Sequence, residues 1–188
     1  MRPHVTTAPA LPNGATAWLL IDVDGVLNVD VSNAESKRRG LARTRVRSWR
    51  SGWSYTLHLQ TWLGAAVKSI APLLEPAWCT TWYDEVDDAG RPGPISLVTR
   101  LSAGLPRVDL GYYVADARAS KVDGIEQFLS EHPAPFVWID DEPLVSDHDS
   151  LAALAQRTNQ PNLLIQTDPS VGINHEQFEH AVQWARAL

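Results

Sequence analysis

The stretch "WLLIDVDGVLN", Trp18 to Asn28, decides the fold. Four apolar residues run straight into Asp22, followed by Val23, a second acid at Asp24 and a glycine. A short apolar run with a polar break at its end reads as a buried strand over Ala17–Asp22. Gly25 lets the backbone turn away immediately after Asp24. A strand built this way carries carboxylates to one edge of a sheet. In open parallel sheets, ligands sit beyond the carboxyl ends of the strands.

Two later segments have the same design. "AWCTTW", Ala77–Trp82, is rich in β-formers and carries the hydroxyls of Thr80 and Thr81. Side chains alternate along a strand, so only one of these two threonines can face a site. "PFVWIDDEP" is a buried strand ending in Asp140 and Asp141. Between them, "SKVDGIEQFL" opens like a helix. Ser120 and Asp123 form a capping-box pattern, Val122, Ile125, Phe128 and Leu129 form an apolar stripe, and Lys121 falls in the first turn. Leu59, Trp62, Leu63, Ala66, Val67 and Ile70 predict a helix over 59–71. Residues 83–119 read as irregular, with an acid cluster at 84–88 and a short strand at Ile95–Leu101. A short helix near Leu151–Gln156 and a strand at "NLLIQT" follow. Asn174 then caps a last helix with Phe178, Ala181, Val182, Ala185 and Leu188 on one face. Strands alternating with helices predict an α/β fold, a three-layer Rossmann-like sandwich with a mainly parallel sheet.

A chain of 188 residues suits one domain, expected at 17–188 behind a lead-in at 1–16. That lead-in carries prolines where a signal peptide needs an apolar stretch. No apolar run approaches the roughly 18 residues of a membrane span, so no membrane partner is expected. Cys79 is the single cysteine, which excludes an internal disulfide and fits a reducing cytoplasm. The net charge of −6 hides an asymmetry. From Ser36 to Leu74 there are eight bases and no acid, on a chain holding 22 acids. A basic segment on an acidic body needs a local explanation.

Carboxylates gathered at strand ends repel one another unless a cation joins them. All-oxygen ligation by few residues favours Mg²⁺ over Ca²⁺. A calcium-loop reading fails on spacing, because counting Asp22 as the first position puts Leu27, not glycine, at the sixth. A lysine and a hydroxyl beside such a cluster suit a phosphate-like ligand. Asp147 and Asp149 precede a helix and read as caps. His175 and His180 are five apart, about 140° around a helix, and read as surface residues rather than a zinc pair.

The order "DVDGVL", a strand ending in Thr80, a helix-opening Lys121 and a strand ending in "DD" resembles the haloacid dehalogenase-like (HAD) hydrolase superfamily. "WCTTW", "VWIDDEP" and "TDPSVGIN" resemble more narrowly the HAD domains associated with Swiss Army Knife RNA repair proteins. The resemblance runs from about Trp18 to the end of the chain. Asp-x-Asp alone is a weak signal that also describes solvated turns, whereas four motifs in order are specific. The resemblance implies a Mg²⁺-dependent phosphatase working through an aspartyl-phosphate. Asp22 would be the nucleophile. Asp24 would protonate the leaving group and then activate water. The Asp22 carboxylate, the Asp24 backbone carbonyl and Asp140 would hold the metal, with Asp141 either ligating it or standing just outside its shell. Thr80 would bind a phosphoryl oxygen, and Lys121 would balance the negative charge.

"RTRVRSWRSGWSYTLHL" alternates with period two around Ser51–Gly52, as a hairpin does. The resemblance implies a flap over the site here, at about 28–58, and no large cap domain. Arginines interleaved with aromatics suit a polyanion with bases to stack on. Arg45, Arg47, Arg50 and Trp53 are therefore expected to bind substrate, with phosphorylated RNA or DNA ends as the partner. The arginines would equally serve to solvate an exposed hairpin or to neutralise the acids at 84–88. Other functions left open are a small-metabolite or nucleotide phosphatase and a non-catalytic nucleic-acid-binding HAD-like domain. A phospho-receiver domain is disfavoured, because there the acidic pair comes early in the chain.

Overall fold

The computed structural model describes residues 11, 14–48, 52–71, 73–88, 91–101, 105–110, 117–142, 154 and 156–188, with backbone only at 83, 84, 87, 88, 91 and 117–120. Trp49, Arg50, Asp147 and Asp149 lie outside the described residues, as does most of the helix expected near Leu151–Gln156.

Four strands form the central sheet. They are β1 (Ala17–Ile21), β4 (Leu74–Trp78), β7 (Phe136–Asp140) and β8 (Asn162–Gln166). Their order is β4-β1-β7-β8, and every pairing is parallel. All five residues of β1 and of β7 are buried, as expected for strands covered on both faces. Period-two alternation divides their side chains. Leu19, Ile21, Val137 and Ile139 face a core completed by α2 (Leu63–Ser69) and α6 (His175–Arg186). Trp18, Leu20, Phe136 and Trp138 face the opposite core, built with Val122, Ile125, Phe128 and Leu129 of α5 (Ala117–Glu131). The result is the three-layer α/β sandwich that the sequence predicts.

The remaining elements decorate this sheet. After β1 come α1 (Asn33–Arg38) and an antiparallel hairpin, β2 (Ala42–Arg47) with β3 (Ser54–Leu59). After β4 come α3 (Tyr83–Val86), a minimal pairing of β5 (Asp87–Asp88) with β6 (Arg91–Pro92), and α4 (Pro94–Thr99). Among the described residues, the sheets other than the central one have two strands each.

Several elements depart from the sequence reading, each for a physical reason. β4 starts and ends earlier than the expected Ala77–Trp82. It runs through Pro76, which an edge strand tolerates because its outer N–H has no ladder partner to lose. The strand expected at Ile95–Leu101 is instead α4. Gly93 and Pro94 start it, Pro94 holding the φ of a first helical position. The helix expected over 59–71 is shorter, because Leu59 belongs to β3. Helix α5 begins at Ala117, so Ser120 and Asp123 are interior to it and Lys121 lies in its second turn. Leu188 is exposed beyond the end of α6, whose capping box of Asn174 and Gln177 is complete.

Helix α2 sits tight against the end of α4. A Cβ on Gly64 would lie 2.3 Å from the Thr99 carbonyl oxygen and 2.7 Å from that of Arg100. Both are backbone atoms that cannot step aside. Alanine is the better helix former by about 1 kcal/mol, yet overpacking a core typically costs about 1–3 kcal/mol. Gly64→Ala is therefore expected to lower the thermal midpoint by several degrees. An unchanged or raised midpoint would show that α2 and α4 are not in this contact.

Candidate active site

The chain crosses from β1 to β4 on one side and from β7 to β8 on the other. The order therefore reverses between β1 and β7, the place where open α/β sheets form a ligand crevice. Asp22 directly follows β1 and Asp140 ends β7. Continuing the alternation of Trp18 and Leu20, Asp22 points toward the α5 face, and Asp140 does so in step with Trp138. Lys121 lies four residues before Ile125 and seven before Phe128, on the buried face of α5.

These placements converge. Lys121 Nζ donates to Asp22 Oδ2 and to Asp140 Oδ2, each at 2.8 Å. Asp22 is buried, Asp140 is wholly so, and the Lys121 side chain is only 12% exposed. The other Asp22 oxygen accepts from the Val23 N–H at 2.7 Å. Asp140 also accepts from the Trp138 indole at 3.1 Å and from the Glu142 N–H at 3.1 Å. Asp141 completes the group: carboxylate oxygens of Asp22, Asp140 and Asp141 lie within 4.8 Å of one another. Gly25 makes room for it. Its φ is +63°, and a Cβ there would fall 2.0 Å from Asp141 Cγ. The Thr167 hydroxyl anchors this turn by donating to the Gly25 carbonyl at 2.8 Å.

The electrostatics follow from three acids facing one ammonium in a dry place. Burial raises the Asp22 carboxyl above its ordinary range against the pull of Lys121. Burial, then the charge of Asp22, raises Asp140 to about 7, with Lys121 again opposing. Asp141 moves up for the same two reasons. Burial works to lower Lys121, but the two carboxylates outweigh it and hold its pKa above the usual lysine value. Cys79 is buried beside this group, and burial pushes its thiol well up, so it stays a protonated core residue. One ammonium does not balance three carboxylates, and the donor set is all oxygen. That chemistry fits a hard divalent cation.

Thr80 and Asp24 flank the cluster. Thr80 is fully buried just past β4, whereas Thr81 is exposed. The Thr80 Oγ1 accepts from the Trp82 backbone N–H at 3.3 Å, which leaves its own O–H as a donor. Asp24 is exposed and stands apart from the three clustered carboxylates. One of its oxygens accepts from Asn28 Nδ2 and the other from Trp82 Nε1, both at 2.8 Å. Sequence reasoning assigned no role to Asn28, Trp82 or Trp138. Trp138 was discoverable, since residues two apart on a strand share a face and Trp138 precedes Asp140 by two.

The chain matches the HAD domain in Swiss Army Knife RNA repair proteins over residues 18–178. It belongs to that family. No curated protein and no solved structure matches it. As a HAD domain it carries the Rossmann-like sheet of the superfamily and, in general terms, a hydrolase site.

The hairpin lies beside this HAD site and not over a separate one. Asn28 bridges to Leu59, the Val29 N–H donates to the His58 carbonyl at 3.0 Å, and the His58 N–H donates to Asn28 Oδ1 at 2.9 Å. The pairs Arg43–His58, Arg45–Thr56 and Arg47–Ser54 put the three arginines on the face of Thr56 and His58. All three arginines are exposed. Tyr55, Leu57 and Leu59 take the other face, with Trp53, 72% exposed, at the turn. Thr56 and His58 line a cavity of about 360 Å³ together with Asn28, Asp24, Asp30 and Asp141. A second cavity, about 280 Å³, lies between the hairpin base and the start of α6 and includes Arg39, Trp62 and His175. There the Arg39 guanidinium donates to the carbonyls of Ser170 and Val171, and the His175 ring lies 4.1 Å from that of Trp62. Among the described residues, no helix is long and apolar enough to cross a membrane.

The raised carboxyls give the metal-free protein a signed pH dependence. Asp140 titrates near 7 in the folded chain and at about 3.9 in the unfolded one. The folded state thus binds more protons between those values, so stability falls as pH rises from about 4 to about 7. Asp22 and Asp141 act in the same direction. In EDTA, the denaturant midpoint of the wild type is expected to decline across this window and that of Asp140→Asn to decline less. Parallel declines would contradict the assignment.

Proposed function

We propose that the protein is a Mg²⁺-dependent phosphohydrolase that works through an aspartyl-phosphate on Asp22, with phosphorylated polynucleotide ends as its substrate class. The observation that carries this reading is the single ammonium of Lys121 joining Asp22 and Asp140 beside Asp141. The family description, an RNA repair context, supports the substrate class.

Asp22 Oδ2, aligned by Lys121, attacks phosphorus. Thr80 donates its O–H to a phosphoryl oxygen, and Lys121 offsets the charge of nucleophile and phosphate. Asp24 gives a proton to the leaving oxygen and later takes one from the attacking water. Asp22, Asp140, Asp141 and the Asp24 backbone carbonyl would hold Mg²⁺, which would supply further charge neutralisation at the phosphoryl group. Phosphoryl transfer needs mainly this positioning and neutralisation. The lone buried Cys79 suits a reducing compartment such as the cytoplasm.

The cavity beside Asp24 supports the substrate class. Its lining includes the acceptors Asp24, Asp30 and Asp141, which repel a second phosphate but suit sugar hydroxyls. Arg45 and Arg47 stand on the same hairpin face further out, where the next phosphates of a chain would lie. Exposed Trp53 offers a stacking surface, and Arg50 belongs to the same basic stretch.

Asp22→Asn is expected to abolish hydrolysis of an aryl phosphate, and Asp24→Asn to slow it by about 10²–10⁴-fold. Full activity of the wild type in EDTA, or substantial turnover by Asp22→Asn, would sink the mechanism.

The substrate class has its own test. Wild type is expected to prefer end-phosphorylated oligonucleotides to sugar phosphates. Each single-strand phosphate contacted steepens the log–log salt dependence by about 0.7. Replacing Arg45, Arg47 and Arg50 by Ala should flatten that slope and reduce oligonucleotide turnover far more than aryl phosphate turnover. Equal losses would make the arginines structural. A wild type that ignores oligonucleotides and takes a small metabolite would make the hairpin a small-molecule gate.

A further inference from the structure

Trp82 meets the site at three points. Its backbone N–H reaches Thr80 Oγ1, and its indole Nε1–H reaches Asp24 Oδ2 at 2.8 Å. Its ring stands edge-on to Tyr55 of β3, with centroids 5.6 Å apart and planes at 87°. The second Asp24 oxygen is held at 2.8 Å by Asn28, which β3 fixes in turn through the His58 N–H. An exposed aspartate ordinarily samples several rotamers. This one has each oxygen on a different donor, and both donors are braced by the same strand. An ionised carboxylate offers about four lone-pair positions, so the two hydrogen bonds leave room for a proton.

We propose that Trp82 is a positioning residue for proton transfer by Asp24, with Tyr55 holding the indole in place. The inference rests on the phosphohydrolase reading. In the first step a bond forms between an Asp22 oxygen and phosphorus. The bond from phosphorus to the leaving oxygen breaks, and the Asp24 proton passes to that oxygen. In the second step the Asp24 carboxylate takes a proton from water as the water oxygen bonds to phosphorus. The Asp22–phosphorus bond breaks and the free carboxylate returns. Both transfers need the Asp24 carboxyl group aimed at the same place, and the indole N–H fixes that aim. Trp82 itself neither gives nor takes a proton and acts only through Asp24.

Trp82→Phe keeps a ring against Tyr55 and removes only the N–H, so it separates aim from packing. The value of kcat/KM reports the first transfer. Alkoxide leaving groups, as in a 3′- or 5′-phosphorylated oligonucleotide, need the proton, whereas p-nitrophenolate needs it little. Trp82→Phe is expected to lower kcat/KM for the oligonucleotide on the order of 10- to 100-fold. It should lower the p-nitrophenyl phosphate value by clearly less, steepening the leaving-group dependence. In an Asp24→Asn background the same change should add almost nothing, because the group it aims has lost its proton chemistry. Equal losses on both substrates, or full additivity with Asp24→Asn, would overturn the role. Independently of turnover, the Trp82 indole ¹⁵N–¹H resonance, assigned by its absence in Trp82→Phe, should shift in Asp24→Ala. No shift would mean that the hydrogen bond is absent in solution and would end the proposal. A wild type inert toward every phosphate ester, with the resonance still responsive, would instead end the phosphohydrolase reading, and the proposed role with it.

Discussion

Lys121 Nζ sits 2.8 Å from both Asp22 and Asp140, in a place from which water is almost excluded. Neither carboxylate would tolerate that burial alone, because an unpaired buried charge is strongly unfavourable. The pair requires β1 and β7 to be neighbours, so that two strand ends present acids to one face. It also requires a helix on that face with a lysine at its buried edge. The crossover from β4 to β7 supplies α5 for this purpose, and Val122, Ile125, Phe128 and Leu129 fix its height over the sheet. Asp141 then adds a charge that the lysine does not balance. It fits only because residue 25 has no Cβ and adopts a left-handed turn.

The rest of the molecule serves the edge of this cluster. The loop from Asp22 to Asn28 folds back on itself, with the Asn28 N–H donating to the Val23 carbonyl at 2.7 Å. The hairpin then pairs with its far end. Strand β3 reaches Asp24 twice, through Asn28 and through Tyr55 and Trp82. The hairpin that carries the arginines is thus fastened to Asp24.

Much of this is legible in the sequence, and what is not has local causes. Strands β1, β7 and β8 announce themselves as apolar runs. The cap of α6 is written in Asn174 and Gln177. The residues of the four motifs are legible because acids, a hydroxyl and a lysine at element ends have few structural uses. Strand β4 is displaced because Pro76 looks like a break until its edge position is known. Helix α4 hides in "ISLVT", whose β-branched residues favour a strand, and only Gly93–Pro94 signals otherwise. The donors to Asp24 are not legible at all. Asn28 and Trp82 lie 54 residues apart in the chain and meet only once β3 has brought the hairpin across. Nothing in the spacing of "WCTTW" reveals that the N–H of Trp82 is used.

The central claim is that Asp22 carries the phosphoryl group, and trapping that group tests it most directly. The protein is mixed with a phosphorylated substrate and Mg²⁺, quenched in acid within a turnover, digested and read by mass spectrometry. The predicted result is one phosphoryl group on the peptide containing Asp22, labile to hydroxylamine as an acyl phosphate is, and absent from Asp22→Asn. A phosphoryl group on another residue, or turnover with no phosphorylated protein at any quench time, would contradict the account.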